Sequence, residues 1–411
     1  MKTYARFIQT HRRLLAFGMG MTFFSSFGQT FLISLFVPRI QADLQLSATA
    51  FGSFYSLATL VSAGFLPWAG RLIDEVDLRR YALTVAGGLA AACLCMSVVR
   101  APWQLFLCLI ALRLTGQGLC GHTASTSLAR AFKNERGKAL SVSGTGYAIG
   151  EGILPTVVVA LIASAGWRTT WLLQSACIGF VLVPGIIALL KKASPAALNA
   201  NRGPRAEPVA THAPESKEWT RGAVVRDPRF LMLLPAILIL PFAVTGLIIH
   251  QARLAEFKGW TIDVLAYAFI GFAMARIAAS LAIGPVIDRF GAVRLFPYFP
   301  LPMGLGMALL LPLDTPVAAG LYLSLTGMSM GMAGSLTSSL WAELYGVRHL
   351  GAIKSLGGSL AVFGTALSPA LFGWLLDRGA TFAQILSGTI AALILACASA
   401  WMVCHRLPRE A

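Results

Sequence analysis

Gly70-Arg-Leu-Ile-Asp74-Glu-Val-Asp77-Leu-Arg79-Arg80 and, half a chain later, Gly284-Pro-Val-Ile-Asp288-Arg289-Phe-Gly291 are two copies of one motif. Each closes an apolar run, sets an acid four residues after a glycine, and carries basic residues at its end. The second copy finishes on a turn glycine where the first has Asp77. Working outward at the same offset, Gly137, Ser141, Gly144, Gly150 and Pro155 return as Gly351, Ser355, Gly358, Gly364 and Pro369. A long internal period in a chain of apolar runs marks a membrane protein built from two related bundles.

Composition agrees. Of 411 residues, 56% are hydrophobic and 12% charged, against roughly 25% charged in soluble proteins. A chain so poor in charge cannot surround its own core with polar surface. Its apolar residues gather into runs near the roughly 20 residues that cross a bilayer. The first six are Leu14–Val37, Ala50–Gly70, Ala82–Val99, Trp103–Ser125, Ala139–Ala163 and Thr170–Leu190. The second six are Phe230–His250, Val264–Gly284, Leu295–Pro312, Val317–Leu340, Ser355–Leu376 and Phe382–Cys404. Lipid offers the backbone no hydrogen-bond partner, so each run must be helical. The expected fold is therefore an all-α membrane protein with twelve transmembrane helices in two pseudo-symmetric six-helix bundles. The bundles span residues 1–190 and 230–411, and the polar segment 191–229 is a linker between them.

The net charge of +16 does not point to nucleic acid, because no soluble segment is large enough to fold a base-reading face. The charge follows membrane topology instead. With the N-terminus inside, most Lys and Arg fall on cytoplasmic segments, and Arg39, Arg100, Arg168, Arg253, Lys258 and Arg378 form the opposite set. That asymmetry predicts a multi-pass protein of the cell membrane, a bacterial inner or plasma membrane, with both termini cytoplasmic. Leu14–Val37 is too long for a signal-peptide core and is expected to stay as the first helix. The linker's basic residues could touch anionic headgroups, although a solvated tether is the plainer reading. The seven cysteines sit in or at the ends of apolar runs, as packing residues. No metal-ligand cluster, phosphate loop or catalytic triad spacing is present, so no cofactor, metal or enzymatic activity is expected.

The two motifs, the span count, the central linker and the topology together resemble the major facilitator superfamily, whose signature loop follows the second span of each half. The resemblance implies a gate in which Gly70, Asp74, Arg79, Gly284, Asp288 and Arg289 latch the cytoplasmic side, with Glu343 and Arg136 in the same network. Ordinary loop charges obeying topology are the bland alternative.

Arg113, Glu151 and Arg276 are the charges well inside the runs, each near a helix midpoint. A charge there costs about 2.5–3.5 kcal/mol on insertion scales, so it is expected to face a cavity or a partner. None recurs in the other half: the repeat places Thr365 opposite Glu151, Ser62 opposite Arg276 and Ser324 opposite Arg113. Charges missing from the partner copy serve cargo or coupling rather than the shared fold. Arg113, in Arg113-Leu-Thr-Gly116-Gln117-Gly118, is similar to the family's fourth-span arginine. It reads either as an anion holder or as the buried partner of Glu151. Glu151 is the proton-coupling candidate, since a cavity opening to each face in turn could load and unload its carboxyl.

Arg276 resembles the eighth-span arginine with which monocarboxylate porters and oxalate/formate exchangers grip a carboxylate. Phe272 stands where monocarboxylate porters carry an acid. A guanidinium suits the task because its fork matches a carboxylate and never deprotonates. Gln29 and Thr30 on the first helix, Tyr147 on the fifth, and His250 and Gln251 at the end of the seventh are further polar candidates. A histidine at a helix end is more often interfacial, and the same holds for His122. The expectation is a secondary active transporter of a small organic anion, a carboxylate, proton-coupled and working as a monomer by alternating access. Efflux of amphiphilic compounds is the same-fold alternative, and a non-transporting membrane sensor is the alternative of another class.

Overall fold

The computed structural model describes residues 2–132, 135–191, 219, 221–346 and 350–406. The greater part of the linker 191–229 lies outside the described residues. Those described are helical nearly throughout, with no strand among them. Ten helices are long and apolar enough to cross a membrane: α2 (Ala48–Asp74), α3 (Leu78–Ser97), α4 (Pro102–Ala131), α5 (Arg136–Ala165), α6 (Trp167–Leu190), α7 (Pro228–Ile249), α8 (Ile262–Phe290), α9 (Ala292–Leu310), α11 and α12. Here α11 is Leu350–Asp377 and α12 is Phe382–Arg406. Two more helices, α1 (Lys2–Ser25) and α10 (Pro316–Tyr345), complete the twelve.

The chain forms two compact units. One comprises Met1–Leu46 with Leu57–Glu207, and the other Ser47–Ser56 with Pro208–Ala411. Within the first unit α1 packs along α5 and α3 along α6. The same pairings recur in the second unit as α7 on α11 and α9 on α12, while α8 lies along α10. Small residues permit these contacts. A Cβ at Gly146 of α5 would stand 2.2 Å from the Met19 carbonyl oxygen of α1, and one at Gly327 of α10 would stand 2.2 Å from that of Phe272 on α8. Without side chains at the crossings, backbones approach within van der Waals range, the usual basis of helix association in lipid.

Several local features depart from the expected regular spans, among them a π-helical stretch at Ile178–Leu182 in α6 and a 3-10 turn at Phe296–Tyr298 in α9. The first run is not one helix. After α1 comes a 3-10 turn at Ser26–Gly28, then extended Gln29 (φ −89°, ψ 153°), and helix resumes at Thr30–Ile33 and again at Val37–Leu44. In α4, Arg113–Cys120 is π-helical. The second copy of the repeated motif is no loop: Gly284–Phe290 forms the last turns of α8, with Pro285 inside the helix and only Gly291 (φ 80°) making the turn. In the first copy α2 does end early, with 3-10 geometry at Leu72–Asp74.

Candidate functional site

In the first unit the polar candidates gather at the break in α1. In an unbroken helix the Leu32 N–H would take the Gly28 carbonyl; instead it donates to the Gln29 carbonyl at 3.2 Å. Gly28 O is thereby left to other donors, and Arg113 Nη1 lies 3.5 Å from it and 3.4 Å from Thr30 Oγ1. Arg113 is 2% exposed and is the first residue of the π-helical stretch of α4. Widened turns of this type mark functional sites often enough to be informative. Broken helices with freed backbone groups are also how many transporter folds build polar sites inside a membrane.

The arginine can come so close because α4 and the break meet through glycines. A Cβ on Gly28 would stand 2.2 Å from Leu112 O, and one on Gly116 would stand 2.7 Å from Gly28 Cα. On the α5 side, the half-buried Tyr147 sets its ring edge-to-face on Phe31, with centroids 6.2 Å apart. Gly150 abuts Ser26, whose Oγ would lie 2.3 Å from a Cβ there. Glu151, the next residue, is 2% exposed. Gln29, Thr30, Arg113, Tyr147 and Glu151 are thus drawn from α4, α5 and the break itself.

The other candidates belong to the second unit. Arg276 is half-buried on α8, where Gly331 of α10 presses on its carbonyl at 2.3 Å for an added Cβ. His250 and Gln251 are 2% and 3% exposed, buried rather than interfacial. His250 Nε2 donates to the Pro369 carbonyl of α11 at 2.9 Å, so that nitrogen carries the proton.

The two motif copies are built differently. In the first, Asp74 pairs with Arg130 of α4, which also donates to Ile73 O at 3.4 Å. Gly70 O accepts from His122 Nε2 at 3.1 Å, and the imidazole leaves a Gly70 Cβ only 3.2 Å. Asp77 caps α3 by accepting from the backbone N–H groups of Arg79 (3.0 Å) and Arg80 (3.2 Å). In the second copy Asp288 is exposed and has no hydrogen bond or ion pair among the described residues. Gly284 has open space around its Cβ position, and Arg289 lies over the Phe290 ring at 5.2 Å. With Gly291 in place of a capping acid, Glu343 of α10 reaches across and accepts from Ala292 N at 2.7 Å and Val293 N at 3.0 Å. Arg136 donates to Ala129 O at 3.3 Å, within its own half.

Sequence reasoning passed over Arg130, the partner of Asp74, and Gln174. Gln174 is 4% exposed on α6. Neither its amide oxygen nor its nitrogen has a hydrogen-bond partner among the described residues, and the same is true of Trp171 Nε1 one turn earlier. An amide within so apolar a run was the signal available. Among the described residues no cluster of His, Cys, Asp and Glu could hold a metal.

A family model described as the Major Facilitator Superfamily matches residues 18–369. The chain belongs to that superfamily. It is 22% identical to the MFS transporter asaE of Aspergillus flavus over 391 residues, covering 92% of this chain and 83% of that protein. It is likewise 22% identical to the oxalate:formate antiporter of Oxalobacter formigenes over 361 residues, 83% of this chain and 81% of that one. Among solved structures, the nucleoside transporter NupG superposes with a TM-score of 0.73 at 13% identity, covering 97% of this chain and 99% of NupG. A bacterial homologue of the human lysosomal transporter Spinster, in an inward-facing and occupied conformation, gives 0.69 at 13% identity, covering 97% of each chain. At such identities the structures speak for the fold alone. As a major facilitator protein the chain is a multi-pass membrane transporter of small molecules and not an enzyme.

Proposed function

We propose that this major facilitator protein moves a small organic anion, a carboxylate, by alternating access, and couples that movement to protons. The burial of Arg113 at the break in α1 carries the reading. A guanidinium stays charged at any accessible pH and offers parallel donors to a carboxylate. Here it is held at 2% exposure among the Gly28 carbonyl, the Thr30 hydroxyl and the flanking helices. Insertion of such a charge costs about 2.5–3.5 kcal/mol, a penalty that ligand binding can offset. Arg276 supplies a second cation on α8, and Gln29 and Tyr147 line the neighbourhood of Arg113 as uncharged hydrogen-bonding groups. Glu151, a buried acid on α5 in the same unit as Arg113, is the group through which a proton would pass.

Similarity to an oxalate:formate antiporter supports the choice of short carboxylates as first substrates. In this reading the protein acts as a monomer in the cell membrane with both termini cytoplasmic. Asp74, Arg130 and the second motif govern opening on that side. The test is uptake of labelled oxalate, formate and lactate into proteoliposomes, with and without an imposed pH gradient. Saturable uptake lost in Arg113→Gln and in Arg276→Ala is expected. Glu151→Gln should keep counterflow exchange while losing acceleration by the gradient. Uptake unchanged by Arg276→Ala removes the anion assignment for that residue.

A further inference from the structure

Between α8, α9 and α10 lies an apolar cavity of about 260 Å³, lined among others by Ala282 and Val286, by Leu295 and Tyr298, and by Met328 and Met332. It is open at the surface: Tyr298 is 48% and Met328 41% exposed, and Leu281, beside Ala282, is 72% exposed. In a membrane-spanning protein such a surface faces hydrocarbon, so what enters the groove comes from the bilayer. Two basic residues stand close in sequence to this apolar lining. Arg289 follows Val286 by three residues on α8, a spacing that sets it on the groove side one turn further out, and Arg294 is the immediate neighbour of the lining residue Leu295. Both are exposed. Among the described residues Arg294 has no hydrogen bond or ion pair, and Arg289 has the Phe290 ring beneath it and no hydrogen bond or ion pair. Asp288 lies two residues beyond Val286, which turns it to a different side of α8. Glu343 is committed to the N–H groups of Ala292 and Val293.

We infer that this groove is a binding site for an anionic phospholipid of the leaflet on the motif side. One acyl chain lies between α8, α9 and α10, and the phosphate meets Arg294 and Arg289. Basic residues adjoining an apolar slot match that head-and-tail chemistry, and a zwitterionic headgroup would gain much less from them. The site is separate from the residues proposed to handle substrate and does not depend on the carboxylate reading.

Native mass spectrometry of the purified full chain tests it, with phosphatidylglycerol and phosphatidylcholine of matched chains supplied in equal amounts. The expected result is preferential retention of phosphatidylglycerol. Arg294→Gln should cut that preference by about fivefold, the weight of one basic group near a membrane surface, and Arg289→Gln should cut it again. Ala282→Trp fills the groove from its lipid-exposed wall and should abolish retention of the tightest-bound lipid while leaving the fold intact by circular dichroism. Equal retention of the two lipids, or a preference untouched by Arg294→Gln, would overturn the site. A preference lost in Arg294→Gln but kept in Ala282→Trp would overturn the groove as the seat of the chain.

Discussion

Substituting Gly116 by alanine probes the crossing that brings Arg113 to the broken first helix. The added Cβ would stand 2.7 Å from Gly28 Cα and 2.8 Å from Gly28 N, whereas carbon contacts relax near 3.5–4.0 Å. The obstructing atoms are backbone and cannot swing aside, so α4 and the break must part by about 1 Å. Overpacking of that kind costs about 1–3 kcal/mol. The same displacement carries Gly28 O, already 3.5 Å from Arg113 Nη1, beyond hydrogen-bonding range. At about 2–4 °C per kcal/mol for a body of 150–250 residues, the melting temperature should fall by about 2–12 °C, with a matching loss of uptake in proteoliposomes. Gly118→Ala is the control, because its Cβ would meet Leu66 Cδ1 at 2.9 Å, the free end of a flexible side chain. Gly28→Ala strikes the same crossing, so the double variant should cost less than the sum of the two. Differential scanning fluorimetry of the purified proteins reads all four. If Gly116→Ala melts with the parent, or Gly118→Ala is equally damaging, the crossing does not hold the site and the reasoning fails.

Asp43, in the Val37–Leu44 helix outside the spans, has its carboxyl held below the usual carboxylate range, first by the Trp167 indole N–H at 2.8 Å and then by Arg168. A carboxylate lowered in the folded state contributes stability above its unfolded pKa of about 3.9 and loses it as pH falls through the folded value. Asp43→Asn should therefore melt below the parent at pH 7, and the gap should close as the acid limit is approached. A gap that persists unchanged at low pH would sink the assignment. Glu343→Ala removes the cap on Ala292 and Val293 and should cost about 1 kcal/mol in thermal denaturation, while Glu343→Gln, which keeps an acceptor oxygen, should cost less. Arg130→Gln, breaking a partly exposed pair with Asp74, should change stability by less than about 1 kcal/mol yet alter transport rate. A large stability loss without a rate change would mean that the pair serves packing alone.

Span count could be read from the chain because lipid makes a long apolar run helical, and the twofold plan because the motif recurs. About twenty apolar residues have one solution in a bilayer, and a repeated Gly-x-x-x-Asp has little other reason to recur. The buried placement of Arg113 and Glu151 followed from the same cost argument. The break at Gln29 could not be read, since one extended residue without proline leaves the hydrophobic pattern of Leu14–Val37 intact. The π-helical turn at Arg113–Cys120 adds nothing to composition. Gly284-Pro285 reads as a loop opening, but the helix carries the proline within its last turns, forfeiting the single N–H bond that any proline inside a helix gives up. The pairings of Arg130 with Asp74 and of Glu343 with the start of α9 join residues about fifty positions apart, and no local spacing announces them.

That last contact has a consequence for how the chain is made. The start of α3 is secured by Asp77, synthesised just before it, whereas the start of α9 waits for a carboxylate 51 residues downstream. At roughly 5–20 residues per second, the amides of Ala292 and Val293 spend about 3–10 s at the bilayer edge before Glu343 leaves the ribosome. The start of α9 is thus left uncapped during synthesis where the start of α3 is not, and biogenesis defects from mutation should concentrate there.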